Sequence, residues 1–475
     1  MNSDKPFIHL LKSPYNYYFY DVNTDDIVHV SEETHSYLTA LLCAREKESV
    51  ESSSNVEEEL ISLKEAGYLK TKRPLKIENP QTDGFLHMLS HGLRMLTLQV
   101  TQKCNFRCSY CSYSDEEMTR NRKHSAKSMT WATAKKAIDF FCGRIRDTKK
   151  VNIGFYGGEP LLEFDLIKQA IEYAEDRLEG KQYSFNMTIN GSLLTLETAR
   201  YFSDKNVSVL ISLDGPKEIH DKNRKLAADG SGTFDIIQRN LQVIEEELPE
   251  YLSSISYNSV IDPINDYSHA KHYFASSFAQ STVSTPFMDP QVGTSLIYSN
   301  EFVAAYKIEQ LLGFLHIQGA ISQNEMSPLS KQFSSSLKSS IGKFKMRSEL
   351  PDRIGHGGPC LPGVLRLFID VDGNMFPCER VSEASDAMKI GHIESGFNYD
   401  NALALLNVSN LTEDKCRNCW ALTHCNLCAK HADDVKHLSA KAVYEHCRSS
   451  KEAVESEILG IIALNETKEV LSKHT

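Results

Sequence analysis

No stretch of the sequence approaches eighteen consecutive apolar residues, so no membrane-spanning helix is expected. The opening residues, MNSDKPFIHLLKSPY, lack an apolar core of signal-peptide length. Positive charge is also short: 52 Lys and Arg stand against 63 Asp and Glu, a formal net charge of −11. A general binder of phosphate backbones needs clustered cations. Neither a nucleic-acid partner nor a membrane is therefore expected, and the expected location is cytoplasmic. Hydrophobic content of 41% and charged content of 24% are ordinary for a globular protein. A chain of 475 residues is long enough for roughly two to four domains.

What the chain does have is cysteine, twelve in all. Without an export signal these imply a reducing compartment, where thiols bind metal or stay free. Three lie at 104, 108 and 111, and seven more fall between 360 and 447. Cys43 and Cys142 are isolated in helical apolar patterns and are expected to be buried core thiols.

Residues 1–90 read as a small module with a linker. NYYFYDVN and DIVHVS alternate around the turn Thr24-Asp25-Asp26, a hairpin signal. EETHSYLTALLCAR and VEEELISLKEAGYL have helical periodicity, with the polar link EKESVESSSN between them. Strands followed by helices outline a winged-helix-like domain, and TKRPLKIENPQTDG, with two prolines and a glycine, reads as the linker.

Residues 91–330 change rhythm. MLTLQV, VNIGFYGG, YSFNMTIN, VSVLISLDG and SSISYNSVI are short β-rich runs separated by amphipathic helical stretches. That alternation predicts α/β architecture, a parallel sheet or barrel. TQKCNFRC, GGEP, NGS and LDGP each follow a strand directly, so four motifs converge on one rim. Residues 266–355 carry little signal, and QFSSSLKSSIGKFK within them reads as a mobile loop or a surface helix. Residues 331–475 hold the dense cysteines and close on a helix, SSKEAVESEILGIIALNETKEVLSKH.

Zinc usually takes four ligands, often as two Cys-x2-Cys pairs. The compact run Cys104-x3-Cys108-x2-Cys111 suits a cubane iron–sulfur cluster better, with one iron left without a protein ligand. On this motif alone zinc and free thiols stay open. One βα unit later comes Tyr-Gly157-Gly158-Glu159-Pro160, in which glycines permit close approach to the backbone and Glu159 can accept from an ammonium group.

Cys-x3-Cys-x2-Cys followed by GGEP resembles the radical S-adenosylmethionine superfamily over roughly residues 93–265. The resemblance implies a partial (β/α)6 TIM-type barrel. It also implies a [4Fe-4S] cluster on Cys104, Cys108 and Cys111, whose open iron chelates the amino and carboxylate groups of S-adenosylmethionine. The aromatic residue before the third cysteine, Tyr110, is then expected near the adenine. Further cofactor contacts are implied at Gly157, Gly158, Glu159, Asn190, Ser212, Asp214 and Arg224. Simple turn chemistry is the alternative for Ser212 and Asp214, and a surface cation for Arg224.

The later cysteines resemble the SPASM extension of such enzymes, which carries two auxiliary [4Fe-4S] clusters and makes three in total. By that analogy Cys416, Cys419, Cys425 and Cys447 enclose one cluster, while Cys360, Cys378 and Cys428 hold the other with an iron left open. The family usually has three residues between its last close pair of cysteines, where this chain has only Asn426 and Leu427. His356 is a fourth-ligand alternative to water or a substrate thiolate, but reads rather as a loop histidine. A pair of structural zinc knuckles is the non-cluster alternative.

The first module resembles the peptide-recognition element of enzymes that mature ribosomal peptides, which bind a leader by strand addition. A DNA-reading winged helix is the alternative, against which its candidate helices are acidic or neutral. Together these resemblances imply a maturase of Cys-rich precursor peptides that forms sulfur-to-carbon thioether crosslinks, of the sactipeptide and ranthipeptide classes. A flavodoxin or ferredoxin is the expected electron donor. Formylglycine formation, as in anaerobic sulfatase maturation, is the nearest alternative, with Glu379 after Cys378 as a candidate general base. Carbon–carbon crosslinking, epimerisation and a non-catalytic zinc scaffold complete the set.

Overall fold

The computed structural model describes residues 5–44, 50–111, 124–277, 283–288, 297–358 and 360–472. The polar link expected at 46–55 begins outside the described residues. The first module is a three-stranded antiparallel meander, β1 (Ile8–Lys12), β2 (Tyr17–Asp21) and β3 (Asp26–Val30), with β2 in the middle. Alternation marks β2 and β3. It does not mark β1, because Leu10 and Leu11 are adjacent and break the period of two. Helices Glu32–Cys43 and Ser54–Glu65 follow, each opened by a serine N-cap, Ser31 and Ser53. Phe19, Val30, Leu38, Val56 and Leu60 form their shared core. Cys43 lies at the last turn of its helix and is exposed rather than buried, and Cys142 is half-buried.

Six strands then lie side by side in chain order, all parallel: β4 (Met95–Thr101), β5 (Lys150–Gly157), β6 (Gln182–Ile189), β7 (Val207–Ser212), β8 (Ser256–Asn258) and β9 (Val283–Ser284). Helices Trp131–Cys142, Phe164–Arg177, Leu196–Asp204, Phe234–Glu247 and Tyr267–Ser277 make the crossovers. The result is a mixed α/β, partial (β/α)6 barrel. Leu96, Leu98, Val100, Ile153, Phe155, Phe185 and Met187 are buried against the helices. The alternate positions Thr97, Gln99, Asn152, Asn186 and Thr188 turn the other way and give the lumen a polar lining, in which Gln99 donates to both oxygens of the Glu383 carboxylate at 2.8 Å. Gly154 sits among them, and a Cβ there would meet Asn186 Oδ1 at 2.7 Å and Thr97 Oγ1 at 3.5 Å.

The sheet continues past β4. Strand β10 (Leu367–Ile369) joins it in parallel, and β11 (Asn374–Phe376), β12 (Gly391–His392) and β13 (Gly396–Phe397) extend it antiparallel. Cys360 precedes β10 and Cys378 follows β11, so the cysteine-rich segment is stitched to the barrel by its own hairpin. The Ser-rich run near 332–345 is no mobile loop. It forms helix Pro328–Ile341 with Ser330, Ser334 and Ser340 buried. Small residues read as loop composition, but here they allow close approach of helix Asn300–Ile317, where a Cβ on Gly313 would meet the Phe333 ring at 2.5 Å.

The closing helix, Ala440–Ser472, starts nine residues before the expected run and so takes in Cys447. Its Val454, Ile458 and Ile462 pack on Phe7, Leu11, Tyr20 and Val22 of the first module. The Pro-bearing connector is pinned along its length. Leu75 and Lys76 N–H donate to Asp352 O at 2.8 and 2.9 Å, and Asn79 N–H donates to Asn407 Oδ1 at 2.8 Å. Among the described residues no helix is long and apolar enough to cross a membrane.

Candidate active site

Strand β4 ends at Thr101 and delivers the chain directly into the loop bearing Cys104, Cys108 and Cys111. That loop is held by a strap no sequence motif announces. Arg107 N–H donates to Lys225 O at 2.8 Å, Ser109 N–H to Asn223 O at 3.0 Å, and Ala227 N–H to Asn105 O at 2.8 Å. With the Phe106–Leu226 antiparallel bridge, residues 223–227 run as a short ribbon beside the cysteines. The three thiols lie within electrostatic reach of one another. Burial pushes Cys104 up to about 12 and Cys108 to about 11. A bound metal reverses that effect, because coordination deprotonates a thiol.

Gly157 and Gly158 pack against the same loop. A Cβ on Gly157 would fall 2.1 Å from Thr101 O, and one on Gly158 would fall 2.2 Å from Lys103 O. Gly158 N–H donates to Thr101 O at 3.0 Å and Glu159 N–H to Lys103 O at 2.9 Å. The close approach that the glycines permit is thus to the cysteine loop's own backbone. Glu159 is fully buried and accepts from Leu161 N–H at 3.0 Å and Asn190 N–H at 2.7 Å, one bond to each oxygen. Burial raises its carboxyl to about 7, against the pull of those two donors. A carboxylate has further lone pairs, so both bonds leave capacity for an ammonium donor. Asn190 in turn donates to Asn105 Oδ1 at 2.8 Å, linking the end of β6 to the loop.

Tyr110, Asp214 and Arg224 come together in one buried cluster. The Tyr110 hydroxyl donates to Asp214 Oδ2. Arg224 donates to both Asp214 oxygens, at 2.9 and 3.0 Å, and its guanidinium carbon lies 5.4 Å from the Tyr110 ring centre. Val260 N–H adds a bond to Asp214 Oδ1 at 3.1 Å. Arg224 is therefore no surface cation. It is a buried, forked partner of Asp214 that also reaches Cys108. Burial drives the Tyr110 phenol well above its ordinary range. Ser212 stands half-buried at the end of β7, paired in register with Asn258.

The later cysteines segregate into four and three. Cys416, Cys419, Cys425 and Cys447 line one cavity. Thr412 Oγ1 lies 3.2 Å from Cys416 Sγ, and Ser450 Oγ donates to Cys425 Sγ at 3.4 Å. Cys360, Cys378 and Cys428 interact electrostatically with one another in the second group. Glu379 sits beside it, paired with Arg366 and 3.9 Å from Arg380, with its other oxygen buried and unpartnered. His356 is buried at the four-cysteine cavity, not in an open loop.

The donor chemistry fits iron–sulfur clusters. Every candidate ligand is a soft thiol, in sets of three, four and three. Among the described residues no three His, Cys, Asp or Glu side chains converge as tightly as a single metal ion requires.

Residues 98–272 match the Radical SAM superfamily, so the chain carries a radical SAM domain. A cysteine-type anaerobic sulfatase-maturating enzyme of Clostridium novyi is 25% identical over 362 residues, 69% of this chain and 85% of that one. The radical SAM cyclopropyl synthase TigE of Paramaledivibacter caminithermalis is 28% identical over 180 residues. An uncharacterised protein of Methanocaldococcus jannaschii is 28% identical over 200 residues. This chain spans 64% of the Methanocaldococcus protein's length and 35% of TigE's. The solved structure of native anSMEcpe with bound AdoMet superposes with a TM-score of 0.57 at 18% identity, covering 78% of this chain and 99% of that one. The same enzyme with AdoMet and a Kp18Cys peptide gives 0.56. These structural matches show the shared fold.

Proposed function

With a radical SAM domain as the premise, we propose that this protein modifies a Cys-rich, leader-bearing peptide, forming thioether crosslinks between Cys sulfur and carbon. One observation carries the proposal: the auxiliary cysteines divide into a complete set of four and an incomplete set of three. In the proposed arrangement Cys104, Cys108 and Cys111 hold the first [4Fe-4S] cluster, Cys416, Cys419, Cys425 and Cys447 the second, and Cys360, Cys378 and Cys428 the third. Loaded with S-adenosylmethionine and given one electron by the donor, the first cluster would supply radical hydrogen abstraction from an unactivated carbon; closing the C–S bond would then release the thiol proton to solvent and one electron, for which the third cluster would be the acceptor.

The chain's own residues then orient and shield. The strap at 223–227 and the paired glycines fix the cysteine loop on two sides. Glu159 and Asn190 form the polar rim for the cofactor's amino acid end, and Tyr110, backed by Asp214 and Arg224, offers an aromatic face. The polar lumen built from Gln99, Asn152, Asn186 and Thr188 suits a peptide main chain, which carries both donors and acceptors. The third site's open position leaves room for a substrate thiolate. The first module, with its two exposed-edge strands β1 and β3, is the proposed leader-binding element.

The test is mass and thiol count on the peptide after turnover. Each thioether replaces one S–H and one C–H by a C–S bond, removing two hydrogens and one alkylatable thiol. An unchanged thiol count would refute it. Formylglycine formation is the second reading, favoured by the extent of similarity to the Clostridium novyi enzyme. It predicts an aldehyde that a hydrazide reagent captures, with no crosslink.

A further inference from the structure

The segment Gly355-His356-Gly357-Gly358 is threaded between the connector at Asn79 and the stretch Thr423–Leu427 with no room to spare. A Cβ on Gly357 would fall 2.3 Å from Thr423 O, and one on Gly358 would fall 2.2 Å from Leu427 O. On the other side, a Cβ on Gly355 would meet the Asn79 backbone at 3.1 Å. Gly357 N–H donates to Leu422 O at 3.3 Å. Main chain is thus laid against the stretch that carries Cys419, Cys425 and Cys428, and His356 is the one side chain it delivers there.

That side chain is 5% exposed, and neither ring nitrogen has a hydrogen-bond partner. Buried imidazole nitrogens are ordinarily paired, so two orphans on one ring point to an absent partner. The ring lines the same cavity as Cys416, Cys419, Cys425 and Cys447. Four thiolates already supply one ligand to each iron of a cubane. A fifth donor has no iron left to bind, whereas an N–H has sulfur to bind. The three-cysteine group, for which a histidine ligand is conceivable, is not among the residues lining this cavity.

We propose that His356 donates a ring N–H hydrogen bond to a sulfur of the cluster in the four-cysteine cavity, and so raises that cluster's reduction potential. The inference rests on the reading that these four cysteines hold a [4Fe-4S] cluster. Hydrogen bonds to cluster sulfur stabilise the more negative, reduced state, and are one of the few means a protein has to tune a buried cluster. His356 is a positioning residue for charge. It touches no substrate.

The experiment uses reconstituted holoenzyme, with iron counted first. Cys416→Ala with Cys419→Ala should remove about four of roughly twelve irons; no loss overturns the cluster reading and this inference with it. His356→Phe should keep all the iron yet leave at least tenfold fewer reduced centres of one auxiliary cluster at a fixed potential, about 59 mV for one electron. His356→Gln, which retains an N–H, should recover most of that shift. Full iron in His356→Phe with every midpoint unmoved overturns the inference alone.

A second readout needs no substitution to fold. In wild-type enzyme labelled with [15N]histidine, electron spin-echo spectra of the reduced auxiliary cluster should show weak coupling to one imidazole nitrogen, absent in His356→Gln. No labelled nitrogen at any auxiliary cluster, or a coupling as large as a direct iron–nitrogen bond gives, refutes the proposed hydrogen bond.

Discussion

Gly158→Ala isolates the clamp on the first cysteine loop, because the position demands no special backbone angle, only space. The new Cβ would lie 2.2 Å from Lys103 O, 2.6 Å from Lys103 C and 2.9 Å from Cys104 Cβ. Two of these are main-chain atoms and cannot rotate away. Ordinary contact requires the loop to retreat by roughly 1 Å. Overpacking of this kind costs about 1–3 kcal/mol, and retreat also stretches the Glu159 N–H bond to Lys103 O, worth about 1 kcal/mol. The total, about 2–4 kcal/mol, corresponds to a fall in melting temperature on the order of 6–12 °C for a unit of barrel size. The same displacement moves Cys104, so iron per chain should drop from about twelve toward about eight, with both auxiliary signals kept. Gly342→Ala is the control. Its nearest neighbour is Ser339 O at 3.5 Å, and it should shift stability by less than about 0.5 kcal/mol. Melting curves and iron assays on the two variants decide the matter. A Gly158→Ala protein that melts with wild type and holds full iron would show that the clamp does not exist.

Asp214→Asn leaves Arg224 buried with its forked partner neutralised, and should cost about 3–5 kcal/mol in denaturant unfolding; a loss under about 1 kcal/mol would mean the pair is dispensable. Alanine at Cys360, Cys378 and Cys428 together should remove about four irons while the S-adenosylmethionine-binding cluster persists, read by electron paramagnetic resonance with and without cofactor; loss of all iron would mean the groups are not separate. Asp25 supplies a pH prediction. Burial works to raise its carboxyl, but bonds from His424 and Tyr20 and the Arg347 charge outweigh it and hold the carboxyl below its ordinary value. The unfolded chain therefore takes up this proton first as pH falls. The stabilisation is complete above the ordinary carboxylate value of about 4 and is lost as pH drops through the lower folded value. On iron-free protein, the advantage of wild type over Asp25→Asn should shrink as pH falls from about 5 to below about 4; an advantage that widens over that interval would contradict the sign.

The barrel was legible because its strands are long, apolar on the helix side and closed by turn motifs. Strands β4 to β7 coincide with MLTLQV, VNIGFYGG, YSFNMTIN and VSVLISLDG. The convergence of four motifs on one rim was legible for the same reason, since each follows a strand's C-terminal end. Short elements were not. Strand β9 is two residues, β12 and β13 are two each, and none carries a period. The strap at 223–227 escaped because an antiparallel ribbon formed by backbone alone leaves no side-chain pattern. Cys43 was misjudged because it ends an apolar stripe at a helix terminus, where the stripe leaves the core. His356 does lie in a loop, as its Gly-His-Gly-Gly setting indicates, but its burial was not legible, because burial of a loop depends on what lies against it. The resemblance already set Cys447 beside Cys416, Cys419 and Cys425, and the fold shows how it arrives there, on the first turns of the closing helix.

The position of the first module has a consequence for how a leader can matter. Its β2–β3 turn places Asp25, at φ 61°, inside the cysteine-rich domain. Asp25 Oδ1 accepts from His424 Nε2 and from the Tyr20 hydroxyl, both at 2.7 Å, while the Tyr20 oxygen lies 3.0 Å from Thr423 Oγ1. Lys345 N–H donates to Asp25 Oδ2 at 3.2 Å, and the His424 ring stacks on Phe344 at 4.1 Å. His9 of β1 stacks on Trp420 with ring centres 3.7 Å apart. Trp420, Thr423 and His424 all belong to the loop between Cys419 and Cys425. A module joined only by a flexible linker would raise the local concentration of a bound peptide and do nothing else. This one shares a buried charge network and a stacked ring pair with the loop between Cys419 and Cys425. Under the proposed leader-binding role, a peptide strand added at the edge of β1 would lie beside His9, whose ring is stacked on Trp420.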